Sequence, residues 1–200
     1  MSGELVAFLS RYIPVSGDLE RIFRENDFVR TFPKGSVLLR PEDRAREAYF
    51  ILKGCVRSYI VKDAEERTVD FFVEEDAVLP LGYGREEPAG HYLECLEDTV
   101  AVASDPDRER EMLARYPELK AVCLAMSEIM AAKLQENLAR YRTSTPEERY
   151  RDLAARRPDL LRRIPQYRIA EYLGSRPESL SRIRRRLARP RRPGGSSDRS

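Results

Sequence analysis

Short runs of apolar and aromatic residues, separated by glycines and charged pairs, dominate residues 31–104. The runs are SVLLR, AYFILKG, CVRSYIVKD, RTVDFFV and YLECLEDTVAVA. Turn residues such as Gly35 and Gly54 stand between them. Short runs rich in Val, Ile, Tyr and Phe with this punctuation predict many antiparallel strands, arranged as a sandwich or barrel.

Helical spacing appears on both sides of this region. Leu5, Phe8 and Leu9 are spaced for one face of a short N-terminal helix, and PDREREMLARY after Asp105 predicts another. From Pro117 to Tyr141, apolar residues recur in steps of three and four, which predicts a helix of about 25 residues. The stripe consists of Leu119, Val122, Met126, Met130, Leu134, Leu138 and Tyr141.

This long stripe has two interpretations. A narrow apolar stripe on a helix longer than one small β domain needs resembles the seam between two helices, so we interpret it as a dimer interface. A helix packed on its own sheet would show the same spacing, and both interpretations can hold for different parts of the stripe.

The segment TSTPEERY marks the start of a second, helical domain. Thr145 is placed to be the N-cap, Pro146 the first helical residue, and Glu148 the third residue after the cap, as in a capping box. The predicted organisation is an N-terminal helix and β-roll over 1–105, a helical linker and dimerisation helix over 106–143, a helix-turn-helix domain over 144–190, and a disordered basic tail over 191–200.

Charge is distributed unevenly along the chain. The composition is 42% hydrophobic, enough for a real core, and the net charge is only +2. Residues 144–200, however, carry 16 arginines, no lysine and seven carboxylates, a net charge of +9, which leaves −7 on the first 143 residues. This asymmetry favours a C-terminal part that touches a polyanion. An arginine-rich surface from a compositionally biased genome is the alternative.

The cysteine and histidine content argues against several classes. The three cysteines are far apart and lack C-x-x-C spacing, which argues against a disulfide scaffold, a zinc site and an iron–sulfur cluster, and for a reducing compartment. The absence of an apolar run long enough for a signal sequence or a membrane span predicts a cytoplasmic protein with no membrane partner. We assign no catalytic and no metal-binding residue.

The stretch IAEYLGSRPESLSRIRRRL has the spacing of a helix-turn-helix. Two helices that pack at a steep angle need a small residue where they cross, which Ala170 supplies. The tight turn between them favours a residue that adopts positive φ, which Gly174 supplies. The apolar positions Leu173, Leu180 and Ile183 would form the small core that sets the angle between the helices.

The second helix of this motif, residues 177–189, has two different faces. Leu180, Ile183 and Leu187 define the buried side, and Glu178 and Arg182 lie almost opposite. Major-groove insertion would let Arg182 pair with a guanine and Glu178 accept from a cytosine. A solvated basic helix is the alternative. The predicted phosphate contacts are Arg176, Ser181, Arg185, Arg186 and Arg189.

From Phe32 to Ala188 the chain resembles the Crp/Fnr family of transcriptional regulators. FPKGSVLLRPEDRAREAYFILKGCVRSYIV resembles the opening of that family's cyclic-nucleotide-binding β-roll. LGSRPESLSRIRRRL resembles its recognition segment, in which Glu178, Ser179 and Arg182 match the typical residues, so the resemblance adds Ser179 to the predicted base contacts. The segments TPEERY and IPQYRIAEYLG are similar to a subgroup common in Bacteroidetes-type bacteria.

The resemblance implies an α+β fold with three parts. These are an N-terminal antiparallel β-roll of jelly-roll topology, a long dimerisation helix, and a C-terminal all-α helix-turn-helix domain with little or no wing after Leu187. It further implies a homodimeric, sequence-specific DNA-binding regulator, in which each protomer reads one half of an inverted repeat in double-stranded DNA, with RNA polymerase as a further partner.

The β-roll departs from the cyclic-AMP-binding pattern of the family. Alignment on Glu97 places Ala89 and Gly90 where the family's phosphate-binding Arg and hydroxyl residue stand. A buried phosphate without a guanidinium partner is costly, so we predict no cyclic AMP binding in the usual manner and no cofactor. The effector is unknown, or none exists. The candidate effector pocket consists of Tyr83, Arg85 and His91.

Two other classes of function stay open. A β-roll also resembles cupins, some of which are metal enzymes, but such a site needs two or three converging histidines and the chain has one. The chain can also be a ligand-binding sensor that acts through protein partners and has lost DNA readout. Replacement of Arg182 discriminates this last possibility from a DNA-binding regulator.

Overall fold

A computed structural model describes residues 2–25 and 28–187, and within them the fold is α+β. The strands are β1 Val29–Phe32, β2 Val37–Leu39, β3 Ala48–Lys53, β4 Val56–Lys62, β5 Glu65–Phe72, β6 Ala77–Val78, β7 Tyr92–Cys95 and β8 Thr99–Ser104. The helices are α1 Ser2–Leu9, α2 Gly17–Glu25, α3 Pro106–Arg115, α4 Leu119–Thr143, α5 Pro146–Arg156, α6 Pro158–Arg163, α7 Gln166–Tyr172 and α8 Pro177–Leu187.

The chain divides into two compact units between Ala139 and Arg140. We call them the β unit (residues 1–139) and the helical unit (residues 140–200). The boundary falls inside α4, so α3 and most of α4 belong to the β unit. The sequence analysis treated residues 106–143 as a separate linker. Among the described residues, no helix is long and apolar enough to cross a membrane.

The strands of the β unit form two antiparallel sheets. Their orders are β1-β8-β3-β6 and β2-β7-β4-β5, so strands distant in sequence lie side by side, as in a jelly roll. Along β8, alternate residues from Thr99 to Ala103 are buried, which follows from the two-residue period of a strand. Ile51, Leu93 and Ala101 lie in the core of the β-roll. The predicted antiparallel β-roll is confirmed.

Gly54, in the turn between β3 and β4, lies against the start of β8. Its φ is +106°, and an added Cβ would lie 2.6 Å from Thr99 Oγ1 and 2.8 Å from the Asp98 carbonyl oxygen. Because these distances are shorter than real Cβ contacts, only glycine fits this turn without displacing the backbone of β8.

A second hydrophobic cluster joins the N-terminal helices to α4. Leu5 and Phe8 of α1 and Leu19 of α2 are buried in it with Leu119 and Val122 of α4. Burial of apolar area of this kind is the main stabilising term for such a helix. The first turns of α4 are therefore part of the β unit's own core.

The helical unit begins at the predicted capping box. The Thr145 hydroxyl accepts from Glu148 N–H at 3.3 Å, and the Glu148 carboxylate accepts from Thr145 N–H at 2.8 Å. These hydrogen bonds lower the pKa of Glu148 from its ordinary value. The short helix α6 was not predicted. The core of the unit includes Leu153, Leu160, Ile164, Ile169, Ala170, Leu173 and Leu180.

Candidate nucleic-acid interface and effector cavity

Helices α7 and α8 meet in a turn closed by two backbone hydrogen bonds. Ser175 N–H donates to the Ala170 carbonyl at 2.8 Å, and Gly174 N–H donates to the Glu171 carbonyl at 2.9 Å. This pair is the Schellman arrangement, in which the residue after the helix cap is left-handed. Gly174 has φ +64°, and Ala170 is fully buried. The two helices therefore form the predicted helix-turn-helix.

Helix α8 has one buried side and one exposed side. Leu180 is 1% exposed, and Ile183 and Leu187 are half-buried, so this side faces the core of the helical unit. The predicted base contacts and most of the predicted phosphate contacts are on solvent-facing positions. The predicted contact residues that are exposed are Arg176, Glu178, Ser179, Ser181, Arg182, Arg185 and Arg186.

The arginines around α8 differ in whether they already have a partner. Arg186 pairs with Glu147, whose carboxylate also binds Arg151 at 2.7 Å. The side chains of Arg176, Arg182 and Arg185 form no ion pair or hydrogen bond within the part of the chain that the structure describes. An external anion can therefore bind these three guanidinium groups without breaking an internal pair, whereas Arg186 would first have to leave Glu147.

Arg189 and the tail at 191–200 lie outside the described residues.

The Ser175 hydroxyl donates to the Arg176 carbonyl at 3.3 Å, and the same carbonyl accepts the Leu180 N–H at 3.0 Å. Arg176 therefore occupies the capping position of α8, where its side chain supplies no oxygen acceptor for the first amides.

Arg149 of α5 is an important residue that the sequence analysis missed. Its Nε and Nη2 atoms donate to the Leu173 carbonyl at 3.1 and 2.9 Å, at the end of α7. Its Nη1 atom donates to the Ser144 carbonyl at 2.6 Å, just after α4, and to the Tyr141 carbonyl at 3.2 Å. The motif TPEERY showed the cap but gave no sign of this role. One of the accepting carbonyls, that of Leu173, is 24 residues away from Arg149 in the sequence.

The apolar stripe of α4 is buried at its start and exposed farther along. Leu119 and Val122 are only 8% and 4% exposed, in the core of their own β unit. This corrects their assignment to a dimer interface, because core packing removes both from the surface. Met126 and Met130 are half-buried. The exposed large apolar residues of α4 are Leu124, Ile129, Leu134, Leu138 and Tyr141, of which the first two were not in the predicted set.

A cavity of about 440 Å³ lies in the β unit, lined by the β-roll together with α1 and α4. His91 lines it, but Tyr83 and Arg85 do not. The Tyr83 hydroxyl donates to the Glu109 carboxylate at 3.1 Å, and burial together with Glu109 raises the pKa of Tyr83. The Arg85 side chain is exposed. Of the three predicted pocket residues Tyr83, Arg85 and His91, the structure therefore brings His91 alone to this cavity.

The cavity has an apolar wall and a few polar groups. Phe72, Leu93 and Met130 are among its apolar lining residues, and Ser58 and His91 are among its polar ones. Lys133 also lines it, and its ammonium lies 2.9 Å from the Asp76 carboxylate. The charge of this lysine is therefore already matched by an acidic neighbour.

The backbone at the expected phosphate position has its own partners. Ala89 N–H donates to the Asp43 carbonyl at 2.9 Å, and Gly90 N–H donates to the Pro41 carbonyl at 3.0 Å. Ala89 is buried, in the core of the β-roll. These amides face carbonyl oxygens of the preceding loop, so they offer no donors to an anion.

Comparison with protein families identifies the class of the β domain. Residues 29–116 match the family model described as Cyclic nucleotide-binding domain. The chain thus combines an antiparallel domain of this class with the helices that follow it, which is the Crp/Fnr fold. No protein of known, curated function matches the sequence itself.

Three solved structures share this fold. FixK2 from Bradyrhizobium japonicum has 18% identity and a TM-score of 0.63, over 80% of this chain and 83% of its own. The c-di-GMP-responsive regulator CLP from Xanthomonas campestris has 16% identity and a TM-score of 0.63, over 94% of this chain and 91% of its own. A CooA mutant from Carboxydothermus hydrogenoformans has 13% identity and a TM-score of 0.62, over 88% of this chain and 85% of its own. None of them supports the Bacteroidetes-type subgroup.

Within residues 2–25 and 28–187, no group of three or more His, Cys, Asp or Glu side chains is placed to hold a metal ion. Cys55 and Cys95 are buried, and burial raises the pKa of Cys95. This favours the thiol over the reactive thiolate at Cys95.

Proposed function

We propose that this protein is a homodimeric, sequence-specific DNA-binding transcriptional regulator of the Crp/Fnr type. It is not an enzyme, and its location is the cytoplasm. Its partners are double-stranded DNA, a second copy of itself and RNA polymerase. The similar structure CLP is described as a c-di-GMP-responsive global regulator that links cell-cell signalling to virulence gene expression, which supports the regulatory class.

The exposed side of α8 carries the proposal. Arg182 and Arg185 are exposed, have no internal partner in the described chain, and lie on the side opposite Leu180. A recognition helix presents its N-terminal residues to base edges, which suits Glu178, Ser179 and Arg182. Arg176 and Arg185 then meet phosphates, which adds affinity and salt dependence without sequence information.

Dimerisation would use the exposed part of α4. Leu124, Leu134 and Leu138, which we call the exposed seam, are 62%, 64% and 54% exposed. At about 100° per residue they lie within an arc of about 80° on the helix. Two copies joined along this seam would carry two recognition helices. They would read half-sites about 34 Å apart on an inverted repeat.

The phosphate contacts can be tested by salt dependence. We expect Arg176→Gln with Arg185→Gln to weaken binding to a mixed-sequence duplex and to reduce the slope of log K against log salt, by about 0.9 for each lost contact. Fluorescence anisotropy over a range of salt measures this slope. The matched control is Arg40→Gln with Arg85→Gln, which removes two exposed arginines of the β unit. An equal change in both pairs would contradict an interface at α8.

The cavity suggests the chemical class of the effector. Its lining is mostly apolar, and Lys133, the cation among its described lining residues, is paired with Asp76. A cyclic phosphate would therefore lack a charge partner, while an uncharged, mainly apolar molecule would lose little on entering. We propose a small uncharged aromatic or aliphatic effector, oriented by Ser58 and His91, rather than a cyclic nucleotide.

This effector class predicts a pattern of thermal shifts. A ligand that binds only the folded protein raises Tm, so 1-naphthol is expected to raise the Tm of the wild type and cyclic AMP to leave it unchanged. Ser58→Phe fills the cavity and removes the naphthol shift. Val61→Phe, at an exposed position of the same strand, keeps it. Stabilisation by cyclic AMP and none by naphthol would contradict the proposed class.

A further inference from the structure

The guanidinium of Arg149 lies between the ends of two helices in the helical unit. On one side it reaches the carbonyl of Ser144, which directly follows α4, at 2.6 Å. On the other side two of its nitrogens share the carbonyl of Leu173, the cap residue of α7, at 2.9 and 3.1 Å. A single side chain therefore connects the last turn of α4 to the turn that precedes α8.

The chemistry of this position suits arginine. The last carbonyls of a helix have no intrahelical partner and carry the negative end of the helix dipole. A guanidinium is always charged, and its five donors in a fixed plane reach acceptors on two sides at once. The ammonium of a lysine is a compact charge that cannot span both carbonyls in the same way.

The ring of Tyr141 completes the arrangement. The guanidinium carbon of Arg149 lies 4.7 Å from the centre of this ring, in cation–π geometry. A Cβ on Gly174 would lie 3.2 Å from the Tyr141 hydroxyl and 3.6 Å from Arg149 Nη2. Tyr141, Arg149 and the Leu173–Gly174 backbone are thus packed together, and we call them the Arg149 clamp.

We propose that Arg149 is a positioning residue that couples the last turn of α4 to the helix-turn-helix turn. A shift of Tyr141 and Ser144 moves the acceptors on one side of the guanidinium, and the hydrogen bonds to Leu173 transmit this shift to the start of α8. Its importance for gene regulation rests on the proposed DNA-binding function, but the coupling itself does not.

Amide hydrogen exchange in the full-length protein, without DNA, tests this coupling. Two amides report the two sides: Ser144 N–H, bonded to the Arg140 carbonyl at 3.0 Å, and Ser175 N–H, bonded to the Ala170 carbonyl at 2.8 Å. We expect Arg149→Met to speed exchange at both amides about tenfold or more, since hydrogen bonds to charged groups are lost on both sides. Arg149→Lys is expected to restore protection at no more than one of them.

A double-mutant cycle separates coupling from a merely structural role. Tyr141→Leu is expected to speed exchange at Ser175 when Arg149 is present and to have no further effect in the Arg149→Met background. The control Arg151→Met removes an exposed ion pair with Glu147 from the same helix and is expected to leave Ser175 unchanged. Equal effects of Tyr141→Leu in both backgrounds would overturn the proposal. Failure of the protein to bind DNA would leave this result unaffected and would overturn the proposed function instead.

Discussion

Arg182→Ala is expected to abolish sequence discrimination while leaving general DNA binding largely intact. A good bidentate contact to a base is worth about 1–3 kcal/mol, and a dimer makes it in two half-sites, so the specific affinity should fall by about 2–6 kcal/mol. The side chain is exposed and has no partner within the described residues, so its loss should not destabilise the helical unit. Competitive binding of the specific duplex and a scrambled duplex measures the difference.

Two variants of the same helix serve as controls for Arg182. Arg184→Ala removes an exposed guanidinium two residues away, about 200° around the helix, and should preserve discrimination. Arg185→Ala should weaken specific and scrambled duplexes together, as the loss of a phosphate contact does. If Arg182→Ala also weakens both duplexes equally, Arg182 contacts the DNA backbone and the proposed base contact is wrong.

Leu134→Lys with Leu138→Lys is expected to separate the dimer and to lower operator affinity by about 100-fold or more. Two charges on the exposed seam cannot be buried against a second copy without a large desolvation cost. A monomer also loses the gain in affinity that comes from linking two binding sites, which is commonly about 10²–10⁴-fold. Sedimentation velocity and operator titration of the same samples measure both effects.

The seam prediction has a control on the same helix. Ala132→Lys places a charge on an exposed position of α4. Around the helix this position lies about 120° or more from Leu134 and Leu138, and about 80° from Leu124. This variant should remain dimeric and bind the operator as the wild type does. A dimer that survives the two seam lysines would place the interface elsewhere on the chain.

The β-roll could be predicted because its turns and its strand period are local properties. Gly54 adopts the positive φ expected of a turn glycine, and each predicted apolar run overlaps at least one strand. Three features were missed: the strand β1, the two-residue strand β6, and the division of the last predicted run into β7 and β8. Such divisions depend on pairing with distant strands, which one sequence does not display.

The extent of α4 was predictable, but its partners were not. Steps of four residues from Val122 to Leu138 advance the stripe by about 40° each, so it moves from the core side of the helix to the exposed side. A stripe that follows steps of three and four can therefore contain both core residues, such as Val122, and seam residues, such as Leu138. Leu124, on the exposed side, broke the pattern and was overlooked.

The recognition segment was more predictable than the effector cavity. Gly174 and Ala170 have fixed positions within a helix-turn-helix, so their spacing carries structural information. A cavity lined from several elements has no such spacing. His91 lines it with residues from distant parts of the β unit, whereas Tyr83 and Arg85 are near His91 only in sequence. Arg149 was missed for the same reason, because its acceptors belong to two other helices.

The most direct test of the central claim is a selection from a pool of random DNA duplexes with the purified, ligand-free protein at two salt concentrations. We expect recovery of an inverted repeat whose half-sites are one helical turn or a multiple of it apart, with the same repeat at both salt concentrations. Arg182→Ala should fail to enrich that repeat. Salt-sensitive retention of duplexes with no common sequence, equal for the wild type and Arg182→Ala and unchanged by added apolar effector, would contradict sequence-specific DNA recognition by α8.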